Sequence, residues 1–186
     1  LESLDNTSKP AITQISAIHC DIEKGKSYEE FDEFVSPMSS VKYGLTINGD
    51  TVAWWMTQEK DAIQKVLVQS IEKGKDLKDV LIQFSKFLND LKEKYQAEKI
   101  NIIGNGTLSD IQWLESAYRA VGLEIPWSYR EPYCHRTLLK TVKRIYNYDI
   151  KEEIEFVGIK HNAIDDCKHQ LKQAHTAFKM MKKGKK

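Results

Sequence analysis

The chain has only three cysteines in 186 residues, Cys20, Cys134 and Cys167, far apart and without CxxC spacing. This excludes a disulfide framework, offers no zinc-ligand pattern, and fits a reducing cytosol. Long apolar runs are missing too. None approaches the roughly 20 residues of a membrane span, and no secretory signal opens the chain. The expectation is a soluble, cytoplasmic protein without a membrane partner. Charge of one sign is also lacking, since 28 Lys plus Arg stand against 27 Asp plus Glu. That balance neither supports nor excludes a nucleic-acid partner, because only local patches decide the matter. Gly104-Asn-Gly106 lacks the third glycine and the later ribose-binding acid of a dinucleotide fingerprint, so it is not one. An initiator Met is absent as well. Leu1-Glu2-Ser3 reads as the end of an element, and further residues are expected before it.

With 41% hydrophobic and 30% charged residues, the chain can bury one core, and no composition shift asks for a second. One domain over 1–178 is expected, followed by a basic tail, 179–186, that frays as a solvated end. Ala11 to Glu23 and Tyr28 to Ser36 alternate, which predicts two antiparallel strands turned at Gly25. Pro37 to Asp50 reads as a loop, with Asp50 or Thr51 capping a short helix that carries Trp54 and Trp55. Neighbours on a helix lie 100° apart. One indole can therefore be core while the other faces solvent, or both can be packing residues.

Lys60 to Ile71 is helical in pattern and stopped by Gly74. Leu77, Val80, Leu81, Phe84, Phe87, Leu88, Leu91 and Tyr95 then repeat at helical spacing without a fault, so this is scaffold. Lys99 to Gly104 reads as a short buried strand of parallel type. The helix after it turns Leu108, Ile111, Leu114, Ala117, Tyr118 and Val121 inward. A Pro126-Trp127 turn precedes a helix from His135 to Tyr146 with Leu138, Leu139, Val142 and Ile145 inward, and Arg136 at its start can meet a phosphate. A polar loop, 147–160, leads to the last helix, Asn162 to Lys182.

That last helix carries the chemistry. Its stripe of Ile164, Cys167, Leu171, Ala174, Phe178 and Met181 is core. Asp165 points away from the stripe, while Asp166 sits on its flank, where a cleft can meet packed structure. His161 lies about one turn earlier and can face the same space. The competing reading is an ordinary helix start, where acids complement the dipole. A second carboxylate stands out in Gly104-Asn-Gly-Thr-Leu-Ser-Asp110, in a row where Leu would be expected. A buried lone acid is costly unless paired, capping or bound to a metal.

Together, Glu2, Gly104-Asn-Gly-Thr-Leu-Ser-Asp110 and His161-Asn-Ala-Ile-Asp-Asp166 resemble, in order and spacing, the three exonuclease motifs of the DEDD superfamily, in its histidine subtype. The first motif there is Asp-x-Glu at the end of the first strand, so an apolar strand ending in Asp is expected before Leu1. Asp50-Thr-Val-Ala-Trp54-Trp55-Met-Thr-Gln58 further resembles the branch of the T-even phage exodeoxyribonuclease and the mycobacterial exoribonuclease-like domains. Arg136 and Thr137 match an Arg-Asp-x-Arg-Thr element of that branch, in which Cys134 replaces the acid.

The resemblance implies a ribonuclease H-like α/β fold, a mixed β-sheet flanked by helices. It further implies a 3′-to-5′ exonuclease that releases nucleoside monophosphates from the 3′ end of single-stranded DNA or RNA. Glu2, Asp110 and Asp166 would hold two Mg²⁺ or Mn²⁺ ions, and His161 would be the base. Ser3, Leu4 and one of Trp54 or Trp55 would line the pocket for the terminal base. A homodimer is compatible with this reading. The alternative is a degenerate nuclease fold that binds nucleic acid or a protein without cutting.

Overall fold

A computed structural model describes residues 1–184. The first element, β1 (Glu2–Ser3), pairs antiparallel with β2 (Ile12–Asp21), which pairs antiparallel with β3 (Lys26–Phe34), giving the order β1-β2-β3. Gly25, at φ +65°, makes the hairpin turn that the alternation predicts. Where a loop is expected, helix α1 (Pro37–Lys42) forms instead. Ser36 is its N-cap and Pro37 occupies the first turn, a pairing that suits a helix start. Helix α2 (Gly49–Met56) is capped by Asn48 rather than Asp50 or Thr51: Asn48 Oδ1 accepts from the N–H of Asp50 at 2.8 Å and of Thr51 at 3.2 Å.

The segment expected to be one helix before Gly74 is helical throughout but changes its winding. Helix α3 (Lys60–Ala62) runs into a π-helical stretch, Ile63–Val68, and then into α4 (Gln69–Glu72). Next come α5 (Leu77–Tyr95), β4 (Ile102–Gly104), a second π-helical stretch, Thr107–Ile111, α6 (Gln112–Ala120), β5 (Pro132–Cys134), α7 (His135–Tyr146), α8 (Ile150–Glu153) and α9 (Ala163–Lys183).

The fold is mixed α/β. Its strands divide differently from the single mixed sheet expected. Strands β4 and β5 form a separate parallel pair, Ile102 opposite Pro132 and Gly104 opposite Cys134. Strand β1 reaches along β2 only from Ile12 to Gln14, so the rest of that β2 edge faces a groove toward β4.

Strand β2 is buried on both faces near its start, where Ile12, Thr13, Gln14 and Ile15 are each at most 2% exposed. Ile12 and Ile15 join Val80, Phe84 and Leu88 of α5 and Leu114 and Tyr118 of α6 in the main core. The opposite face meets α9, where Cys167 Sγ lies 3.6 Å from the Ser16 carbonyl and His175 Nδ1 lies 2.8 Å from that of Ile22. A second cluster surrounds Trp55 with Leu4, Ala62, Val66 and Leu67. A third, of Leu139, Val142, Ile150 and Ala177, ties α7 and α8 to α9.

Further differences from the sequence expectations lie in the second half of the chain. Leu108 is 83% exposed, because the π-helical winding of Thr107–Ile111 rotates it away from the face that Ile111 and Leu114 share. Ile145 is 64% exposed, the buried face of α7 being His135, Leu139 and Val142 instead. The polar loop contains α8, started by an Asp149 cap and anchored by buried Ile150. Within the segment expected as a basic tail, α9 continues to Lys183, and the ammonium of Lys182 pairs with Glu23 at 2.8 Å and lies over the Phe178 ring. The rest of the tail, 185–186, lies outside the described residues.

Two adjacent indoles give a clean stability contrast. Trp55 is fully buried, whereas Trp54 is 44% exposed. Trp55→Ala should cost about 3–5 kcal/mol and Trp54→Ala under about 1 kcal/mol, read from urea midpoints. At Gly74 a Cβ would stand 2.1 Å from the Ser70 carbonyl oxygen and 2.5 Å from the Ser36 nitrogen, both backbone. Gly74→Ala should therefore destabilise by about 1–3 kcal/mol in the same assay.

Candidate metal centre

Strand β1 places Glu2, and the residues after it hold the strand in place. The Ser3 carbonyl accepts the Trp55 Nε1–H at 2.9 Å, and the Ser3 hydroxyl donates to the Asp5 carbonyl at 2.8 Å. Asp5 is itself buried and accepts from Thr7 and Thr46. Ser3 lines the cleft through this anchored backbone. Leu4, expected in the pocket, is packed into the Trp55 cluster instead.

The loop before α9 delivers His161. Its backbone is left-handed, φ +65°, a strained position for a residue with a side chain. Gly158, at φ +118°, stands so close to Asp165 that a Cβ would lie 2.6 Å from the Asp165 carboxyl carbon. Asp165 Oδ2 accepts the Ile159 N–H at 3.0 Å and the Asn162 Nδ2–H at 2.8 Å, so this acid fastens the loop. The next residue, Asp166, turns to the cleft. Ligand atoms of Glu2, His161 and Asp166 all lie within 4.8 Å of one another. The imidazole stands edge-on to both indoles, 5.0 Å from Trp54 and 5.9 Å from Trp55 between ring centroids.

Asp110 and Arg136 line the same cleft. Asp110 stands outside the close trio. Its Oδ2 accepts the Gly106 N–H at 2.9 Å and the Ser109 hydroxyl at 3.2 Å. The Arg136 guanidinium lies over Gly106, where a Cβ would be 3.3 Å from Nη1, and its backbone N–H donates to the Asn105 carbonyl at 3.0 Å. Cys134 occupies the position where the resembling branch has an acid. Burial raises its thiol pKa, but hydrogen bonds from the Thr137 side chain and from nearby backbone N–H groups prevail and bring it down to about 7.

Gathering acids in a shielded place has a measurable consequence. Burial first, and then the neighbouring Asp166 and Asp110, push the Glu2 carboxyl up to about 8. Asp166 is pushed up to about 6, mainly by burial, with Asp165 and Asp110 adding. The His161 imidazole is lowered by burial and by Lys160, which keeps it neutral at pH 7. The cleft opens into the groove of about 950 Å³ between β2 and β4, whose far walls are apolar side chains such as Ile15, Phe84 and Leu171.

Two carboxylates at this separation fit a divalent cation, with the His161 imidazole beside it. Hard oxygen donors with bonds of about 2.1 Å need only a small inward adjustment of these side chains to close a shell. Sequence reading passed over Gln14, Asn162 and the fastening role of Asp165. The signal for Gln14 was its side-chain amide at the centre of the otherwise apolar start of β2.

The raised carboxyls fix the direction of a pH effect. Groups whose folded pKa exceeds the unfolded value contribute stability that is full below the unfolded pKa and is lost as pH rises through the folded one. For Asp166 and Glu2 that window runs from about 4 to about 8. In chelator, the melting temperature should fall by several degrees between pH 5 and 8.5. Millimolar Mn²⁺ should raise it more at pH 8.5 than at pH 5, because cations take the deprotonated ligands. Glu2→Gln should flatten both trends in differential scanning fluorimetry.

No curated protein and no solved structure matches the chain. Residues 1–178, however, match the family described as the 3′-5′ exoribonuclease Rv2179c-like domain. The match takes in β1 with Glu2, the segment carrying Asp110 and the start of α9 with His161 and Asp166. The chain belongs to the Rv2179c-like family of 3′-5′ exoribonuclease domains.

Proposed function

We propose that this chain is a metal-dependent 3′-to-5′ exonuclease that removes nucleoside monophosphates one at a time from single-stranded ends. RNA is the first substrate to test, in keeping with the family description. The observation that carries the reading is the approach of Glu2, His161 and Asp166 from β1 and α9, elements far apart in sequence. Glu2 and Asp166 would hold one divalent cation, with Asp110 completing the acidic set for a second. When bound, Mg²⁺ or Mn²⁺ ions supply the Lewis acidity that favours ionisation of the attacking water and neutralises charge on the departing 3′ oxygen.

The residues themselves do the rest. His161, neutral at pH 7, takes a proton from the attacking water through its ring nitrogen. The edge-on indoles limit how that ring can turn. Trp54, half-exposed, offers its free face to the terminal base, and stacking of this kind reads no sequence. Trp55 is fully buried and supports the site through its bond to Ser3. Arg136 brings a fixed positive charge to the mouth of the cleft, where a phosphate of the strand would lie.

A 5′-labelled single-stranded RNA and its DNA counterpart, incubated with Mn²⁺, should shorten by single nucleotides. Asp166→Ala and His161→Ala should each lower kcat by about 10²-fold or more. Trp54→Ala should raise KM roughly 5-fold or more with a smaller effect on kcat. Shortening that continues unchanged in the Asp166 and His161 variants sinks the reading. Binding without shortening in the wild-type protein would mark a non-catalytic domain.

A further inference from the structure

Gln14 has no exposed surface, lies on β2, and is the cross-strand partner of Glu2. Its side chain leaves β2 toward the start of α9 and uses both donors and its acceptor. Nε2 donates to Asp32 Oδ1 at 2.8 Å and to Asn162 Oδ1 at 2.9 Å. Oε1 accepts the backbone N–H of Ala163 at 3.0 Å. Asn162 is the N-cap of helix α9, and its own side chain makes no capping bond. Gln14 therefore serves as a cap supplied from another element, satisfying a first-turn N–H that would otherwise be buried alone.

The bonding continues in both directions. Ser16 donates to Asp32 Oδ1 at 2.6 Å, and Asn162 Nδ2 donates to Asp165, which also holds the Ile159 N–H. One connected set of bonds thus runs from β3 through β2 to the loop of Ile159, and His161 lies between two of its members. The other link from β2 to α9 beside the site is the longer contact of the Cys167 thiol with the Ser16 carbonyl, 3.6 Å, which touches neither the loop of His161 nor the first-turn N–H of Ala163.

We propose that Gln14 is a positioning residue for the metal centre: through Asn162 and the Ala163 amide it fixes where His161 and Asp166 stand relative to Glu2, without touching substrate. This rests on the reading of Glu2 and Asp166 as metal ligands with His161 as the base beside them. An amide is required. Leucine fills similar space with no bonds, and glutamate loses both donors while facing the carboxylate of Asp32. Residues that orient metal ligands from behind typically change metal affinity or activity by about 10–100-fold when removed.

The test compares wild type with Gln14→Leu, Gln14→Glu and Asp165→Ala, and with Phe31→Leu as a core control that loosens the sheet elsewhere. Three quantities are read well below the melting temperature: Mn²⁺ affinity by calorimetry, kcat and KM on single-stranded RNA, and amide hydrogen exchange of Ala163 in metal-free protein. Both Gln14 variants should weaken Mn²⁺ binding and lower kcat about 10–100-fold with KM within about 3-fold. Ala163 should exchange at least 10-fold faster. Asp165→Ala should lower kcat several-fold with KM unchanged, and it decides the matter if the Gln14 variants do not fold. Phe31→Leu should lose stability while keeping kcat and Mn²⁺ affinity. Folded Gln14 variants, or Asp165→Ala in their place, with wild-type kcat and Mn²⁺ affinity overturn the positioning role while leaving the nuclease reading intact. Wild-type protein that neither binds Mn²⁺ nor shortens RNA overturns that reading, and the positioning role falls with it.

Discussion

A strand buried on both faces leaves a polar side chain nowhere to go except into bonds with other elements, and β2 is such a strand near its start. Toward α5 it presents Ile12 and Ile15 to a core of aliphatic and aromatic side chains, where burial supplies non-directional stabilisation. Toward α9 it presents Gln14, whose bonds are directional and set distance and angle. The two faces thus do different work. One makes the sheet stable, and the other makes the approach of α9 specific.

The cleft runs against stability in the usual way of functional sites. Carboxylates that share a shielded space repel one another and resist ionisation, as the high values for Glu2 and Asp166 express. His161 adds a left-handed backbone. Such strain persists only where the surroundings over-determine it. Here the surroundings are the indole–carbonyl bond between Trp55 and Ser3 on one side and the Asp165 fastening on the other. Both lie within a residue of a candidate ligand.

The strongly periodic parts of the fold were legible in the sequence. The repeat of α5 became its buried face from Leu77 to Leu88, while Tyr95 at its end is exposed, and the alternation around Gly25 became the β2–β3 hairpin. The last helix was also readable, including the different directions of Asp165 and Asp166, because neighbours are offset by 100°, though not what Asp165 fastens. Helix starts were harder. Ser36-Pro37 and Asp149 open short helices whose few residues carry no period, so only the cap chemistry could have revealed them. The buried placement of Leu4 and the bonds of Gln14 depend on partners about 50 and 150 positions away, Trp55 for one and Asn162 for the other, which no local window contains.

Asp110 reaches the cleft from a stretch wound more loosely than an α-helix. Such a turn holds one residue more than the α-helical ladder needs, so the direction of the carboxylate is set by a count of residues rather than by the size of any neighbour. Substitutions within Thr107–Ile111 leave that count alone. Loss of a single residue would rewind the stretch and swing the acid by about 100° from its place. Apart from Asp110 itself and the buried Ile111, the segment is thus forgiving of changed letters and intolerant of changed length.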